Sequence, residues 1–65
     1  MSIEEERIIV AKNMYDYGGS FVQKLGEALI SADQDNMIKI KMTWPLYWET
    51  YLNFKKKGER EDEEN

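Results

Sequence analysis

Met37-Ile38-Lys39-Ile40-Lys41-Met42-Thr43-Trp44, residues 37–44, is the stretch on which the fold class turns. Ile38, Ile40, Met42 and Trp44 alternate with Lys39, Lys41 and Thr43 as in a half-buried strand, yet Met37, Ile40 and Trp44 stand at i, i+3 and i+7, the spacing of one helix face. The flanks favour the helix. Upstream, Ala32-Asp33-Gln34-Asp35-Asn36 marks a turn and offers Asp33 or Asp35 as an N-cap, with Lys39 and Lys41 toward the negative end of the dipole. A lone strand would have no partner in this chain, and an acidic cap has no use ahead of one. Downstream, Pro45 disfavours α geometry at Trp44, so this helix stops or kinks there, and proline at a first helical position starts another.

That last helix is expected over residues 45 to about 57. Tyr47, Trp48, Tyr51, Leu52 and Phe54 give it a wide aromatic stripe, Lys55, Lys56 and Lys57 suit the dipole, and Gly58 offers a left-handed stop. Working back toward the N-terminus, Phe21, Val22, Leu25, Ala28, Leu29 and Ala32 recur with helical spacing after Ser20-Phe21-Val22-Gln23, which reads as a capping box. Gly26 lies on the side of Val22 and Leu29, where a missing side chain lets another helix approach. Ahead of that helix, Asp16-Tyr17-Gly18-Gly19 reads as a break whose glycines supply positive-φ turns. A first helix is expected over residues 3 to 14 or 15. Ser2-Ile3-Glu4-Glu5 is a capping box for it, and Ile3, Ile9, Val10 and Met14 form its apolar face with Ile8 at the margin.

The expectation is therefore all-α, a small bundle of three to four short helices. Its predicted core is Ile9, Val10, Met14, Phe21, Leu25, Leu29, Ile40, Trp44, Trp48 and Tyr51. With 65 residues there is room for one domain, placed at residues 1–58, and 42% hydrophobic residues are enough to fold it. Residues 59–65, Glu-Arg-Glu-Asp-Glu-Glu-Asn, carry the whole formal charge of −4 and no apolar side chain, which predicts a disordered acidic tail.

The chain contains no cysteine and no histidine. Disulfides, thiolate chemistry, sulfur-ligated metals and the commonest general base are thereby excluded, and no catalytic constellation, metal site or cofactor motif can be read. Asp33-Gln34-Asp35 fails as a calcium loop, because its sixth position is Ile38 and its twelfth is Trp44. Glu27 and Glu49 have nothing to fix them opposite each other and read as solvated surface. There is no positively charged leader with a long apolar run, so the expected location is the cytoplasm, without membrane association.

Three binding chemistries remain. The aromatics from Trp44 to Phe54 are more than four short helices can enclose on one side, so Trp44, Tyr47, Tyr51 and Phe54 are candidates for a protein interface, including a homo-oligomer. Alternatively, Tyr17, Gly18 and Gly19 ahead of a helix, with Lys24, could hold an anionic small molecule between subunits; no Gly-Lys-Ser/Thr sequence supports this. Nucleic-acid binding through Lys39, Lys41 and Lys55 to Lys57 is the weakest, since the acids that follow oppose the only basic cluster.

Residues 15–25 (Tyr-Asp-Tyr-Gly-Gly-Ser-Phe-Val-Gln-Lys-Leu), 32–36 (Ala-Asp-Gln-Asp-Asn) and 44–51 (Trp-Pro-Leu-Tyr-Trp-Glu-Thr-Tyr) together resemble a group of short, uncharacterised proteins of tailed phages and prophages. The likeness spans about residues 8 to 54, and Trp44 stands where that group usually has Phe. The resemblance implies a viral or mobile-element origin and a host-cell cytoplasmic location, and it carries no catalytic residues across. Small phage proteins of this kind often bind a host protein, including defence proteins, which by analogy implies an inhibitor or adaptor.

Overall fold

The computed structural model describes residues 1–54, all of whose regular structure is helical. Helix α1 spans Ile3–Tyr17 and starts on the expected capping box. Glu5 N–H donates to the Ser2 hydroxyl at 3.2 Å, and Ser2 N–H donates back to the Glu5 carboxylate at 2.9 Å. Helix α2 spans Ser20–Ser31, α3 spans Gln34–Thr43 and α4 spans Pro45–Leu52. Residues 37–43 are thus helical, and the acidic cap is Asp33, whose carboxylate accepts from Asn36 N–H at 2.9 Å. Pro45 opens α4 at its first turn, as its fixed φ and missing N–H allow. Among the described residues no helix is long and apolar enough to cross a membrane.

α1 and α2 form an antiparallel hairpin, α4 lies along α1, and α3 bridges α2 to α4. The core between them is Val10, Ala11, Met14, Val22, Leu25, Leu29, Met37 and Trp48. Ile9, Ile40, Trp44 and Tyr51, expected inside, are only half-buried. Phe21 is the clear exception, at 59% exposed. The buried stripe of α2 is Val22, Leu25, Gly26 and Leu29, and because Gly26 allows α1 to close on that line, the stripe turns away from Phe21. Ala11, Val22 and Met37 occupy the core instead.

Three other details depart from the sequence reading. α1 runs two residues further than expected, to Tyr17. The glycine turn uses no positive φ: Gly18 sits at φ −82°, ψ 162° and Gly19 at φ −73°, ψ −174°. Gly18 is needed for space, since a Cβ there would lie 2.5 Å from Val22 Cγ1 and 2.6 Å from the Met14 carbonyl oxygen. The Ser20 capping box does not form, because Gly19 is the N-cap and makes no side-chain bond. Gln23 is drawn away to the end of α1, donating its amide to the Tyr15 carbonyl at 3.0 Å.

α4 ends at Leu52 rather than near residue 57. Asn13 of α1 donates to the Tyr51 carbonyl at 2.8 Å and to that of Phe54 at 3.5 Å, while the Asn53 amide takes the Glu49 carbonyl at 3.0 Å. Side-chain donors thus replace the next helical turn. Lys55 to Lys57, Gly58, the boundary at residue 58 and the acidic segment 59–65 lie outside the described residues.

Candidate functional site

At about 100° per residue, Trp44, Tyr47 and Tyr51 fall within roughly 60° of one another around α4, with Trp48 at the edge of that sector. Trp48 turns inward against α1, and the other three remain half-buried along the seam. Neighbouring helices extend the row. Phe21, from the start of α2, meets Trp44 edge-on at 6.1 Å between ring centres, and Tyr47 meets Tyr51 edge-on at 6.4 Å. Tyr51 stacks on Phe54 at 5.9 Å, and Tyr17, from the last turn of α1, lies 4.6 Å from Phe54. The four residues expected to bind a partner are therefore joined by two more rings from α1 and α2.

The backing of this face is polar and ties three helices together. The Trp48 indole N–H donates to the Glu6 carboxylate at 2.9 Å. Lys41 of α3 reaches the same carboxylate oxygen at 3.5 Å and stands 5.3 Å from the centre of the Trp48 ring. The indole hydrogen bond, with the Lys41 charge behind it, holds the Glu6 carboxyl below the usual carboxylate range, and desolvation opposes them without prevailing. Because the folded value is the lower one, ionised Glu6 stabilises the fold fully above the unfolded carboxylate pKa of ~4.3, and this is lost as pH falls through the folded value. In denaturant titrations from neutral pH into acid, Glu6→Gln should be less stable than the parent at pH 7, and the gap should close in acid. A gap that does not change with pH would mean the carboxylate charge plays no part.

Arg7 makes the corresponding link to α2, donating to the Ala32 carbonyl at 2.7 Å while pairing with Glu4 at 2.6 Å. Gln23 of α2 thus caps the C-terminal end of α1, and Asn13 and Arg7, both of α1, cap those of α4 and α2. None of these roles was read from the sequence. The available signal was position, since Glu6, Arg7 and Asn13 flank the Val10 and Met14 stripe, where a polar side chain reaches a neighbouring helix.

The residues expected to hold an anion sit at the turn between α1 and α2 and on α2. Gly18 N–H donates to the Met14 carbonyl at 2.9 Å, the Tyr17 ring packs on Phe54, and Lys24 is exposed on α2. Of the basic residues, Lys41 is engaged with Glu6, and Lys39 lines a cleft with Asn36 and Ser31 between α2 and α3. Among the described residues no group of three or more His, Cys, Asp or Glu side chains is arranged to hold a metal ion. No family model, curated protein or solved structure matches this chain.

Proposed function

We propose that this chain is a non-enzymatic interaction protein of phage type, an inhibitor or adaptor that binds a host protein through the aromatic face of α4. The observation that carries this reading is the six rings along α4 and its flanks, Phe21 on Trp44 and Tyr47–Tyr51–Phe54–Tyr17 in contact, all half-buried or exposed. Tyr and Trp are the residues most enriched at binding hot spots, since they supply large contact area at small entropic cost. The face is also held firmly from behind, by Trp48 on Glu6 and by Asn13 on the end of α4. Such pre-ordering lowers the cost of association. The phage resemblance supplies the class of partner.

Tyr47→Ala tests this directly, because Tyr47 is half-buried and its truncation should leave the fold intact. Circular dichroism should be unchanged, and capture of the partner from host lysate should fall by at least tenfold, the loss of about 1.4 kcal/mol or more expected at a hot spot. Undiminished capture would remove the aromatic face from the interaction. A captured species whose retention falls steeply with salt would mark phosphate contacts and favour the lysines instead.

A further inference from the structure

We propose that the cleft between α2 and α3 binds a small planar aromatic carboxylate, at a site that adjoins the aromatic face through Trp44. The two helices run antiparallel, since Trp44 at the end of α3 meets Phe21 at the start of α2 and the connection between them is the short Ala32-Asp33 turn. The core stripe of α2 is spent on packing against α1, and the α2 residues that line the gap to α3 are small, Ala28, Ser31 and Ala32. An open cleft of about 390 Å³ is left between the helices, within the size range of small-molecule sites.

Its lining has an apolar part and a polar part. Ala28, Ile40 and the half-buried Trp44 give hydrocarbon surface and one indole ring, against which a flat ring packs well. Ser31, Asn36, Lys39 and Thr43 line the same cleft, and all four are exposed. Among the described residues none of these four side chains makes a hydrogen bond or an ion pair within the protein. Lys39 is the one ionised side chain of the lining. Asp35, one turn earlier on α3, does not pair with it, and the Asp33 carboxylate is committed to Asn36 N–H at 2.9 Å. The cleft thus sets one unbalanced positive charge and three neutral hydrogen-bonding groups beside an aromatic ring.

This donor set selects the class of ligand. A single lysine, with no arginine fork, matches one negative charge rather than a phosphate. The first turn of α3 adds no anion cradle, because Asp33 already caps it. Hydroxyl and amide groups such as those of Ser31, Thr43 and Asn36 can donate to the carboxylate lone pairs that one ammonium leaves over. The apolar surface calls for a hydrocarbon body, which acetate and inorganic anions lack. A two-ring acid such as 2-naphthoate combines that body with a single charge, and in so open a cleft a ligand of this size is expected to bind with a dissociation constant on the order of 1 mM.

Titration of the isotope-labelled 65-residue chain with 2-naphthoate, followed by amide chemical shifts, tests this. Saturable shifts are expected at Ser31, Asn36, Lys39 and Thr43, with little change at Ile8 and Ile30 on the far side of the α1/α2 hairpin. Sodium acetate, which lacks the ring, and 2-naphthylmethylammonium, which reverses the charge, should each bind at least tenfold more weakly. Lys39→Gln should weaken 2-naphthoate about tenfold, the worth of one charge-assisted contact. Ala28→Leu, which fills the cleft from an exposed helical position, should abolish binding with unchanged helicity. No saturation by roughly 20 mM overturns the proposal. So does equal binding of acetate or of the cation, an affinity untouched by Lys39→Gln or Ala28→Leu, or binding lost in Tyr47→Ala, which would put the probe on the aromatic face.

Discussion

Trp48→Ala is expected to unfold the domain. The ring is 1% exposed, the largest of the fully buried side chains, and sits where α4 meets α1. Removing an enclosed aromatic costs about 3 to 5 kcal/mol in lost burial and cavity formation. A folded unit of some 54 residues holds roughly 3 to 8 kcal/mol in all, so little or nothing remains. The loss is compounded at Glu6, which keeps its carboxylate but loses the indole donor. Trp48→Phe separates the two contributions: it retains most of the apolar contact and should leave a folded protein whose remaining defect comes from the missing N–H and the smaller ring. Circular dichroism and thermal melts read both variants. A Trp48→Ala chain that melts within a few degrees of the parent would show that α4 does not close the core.

How much of this architecture was legible in the sequence depended on whether a signal was local. The Ser2-Ile3-Glu4-Glu5 box, the Asp33 cap and Pro45 act within one helical turn and appear where their chemistry places them, whereas the equally local Ser20 box fails because Gln23 is drawn to the Tyr15 carbonyl of α1. For residues 37–44 alternation and helical spacing coexist in one short apolar run, and the acidic cap with the lack of a partner strand decides for the helix. Phe21 departs from its expected core position for a tertiary reason. Phe21 and Val22 compete for one stripe, and the winner is decided by the neighbour that closes over Gly26, which no periodicity records. The end of α4 differs for the same kind of reason, since Lys55 to Lys57 and Gly58 look like a helix ending while the stop at Leu52 is made by Asn13, about forty residues upstream.

The aromatic face shows the same division. Trp44, Tyr47 and Tyr51 share a side of α4 by spacing alone, which the sequence reveals. Tyr17 and Phe21 join them because the glycine turn between α1 and α2 brings both residues to one end of the hairpin. The sequence groups Tyr17 with the glycines of a possible anion site, and in the structure its ring packs on Phe54. The turn thus contributes to the site by placing aromatic rings at the ends of two helices.

Gly26→Ala should destabilise the protein although it improves the helix. In an isolated helix, alanine is favoured over glycine by about 0.8 to 1 kcal/mol. At residue 26, however, the new Cβ would lie 2.9 Å from the Ala11 carbonyl oxygen, 2.9 Å from Met14 Cβ and 3.3 Å from Tyr15 N. All three belong to α1, and two are backbone atoms, so no side-chain rotation relieves the contact. The hairpin must spread, and overpacking of this kind costs about 1 to 3 kcal/mol. For a domain this small each kcal/mol moves the melting temperature by roughly 4 to 8 °C. Gly19→Ser supplies the contrasting sign: nothing lies within 4 Å of a Cβ there, and φ −73°, ψ −174° suits a serine N-cap, so a gain of a few tenths of a kcal/mol is expected. If Gly26→Ala instead raised the melting temperature by its helix-propensity gain, the approach of α1 to α2 would not be limited by this glycine. The two helices would then have slack at the level of Ala11 and Gly26, and the core stripe of α2 would be set by something other than this close approach.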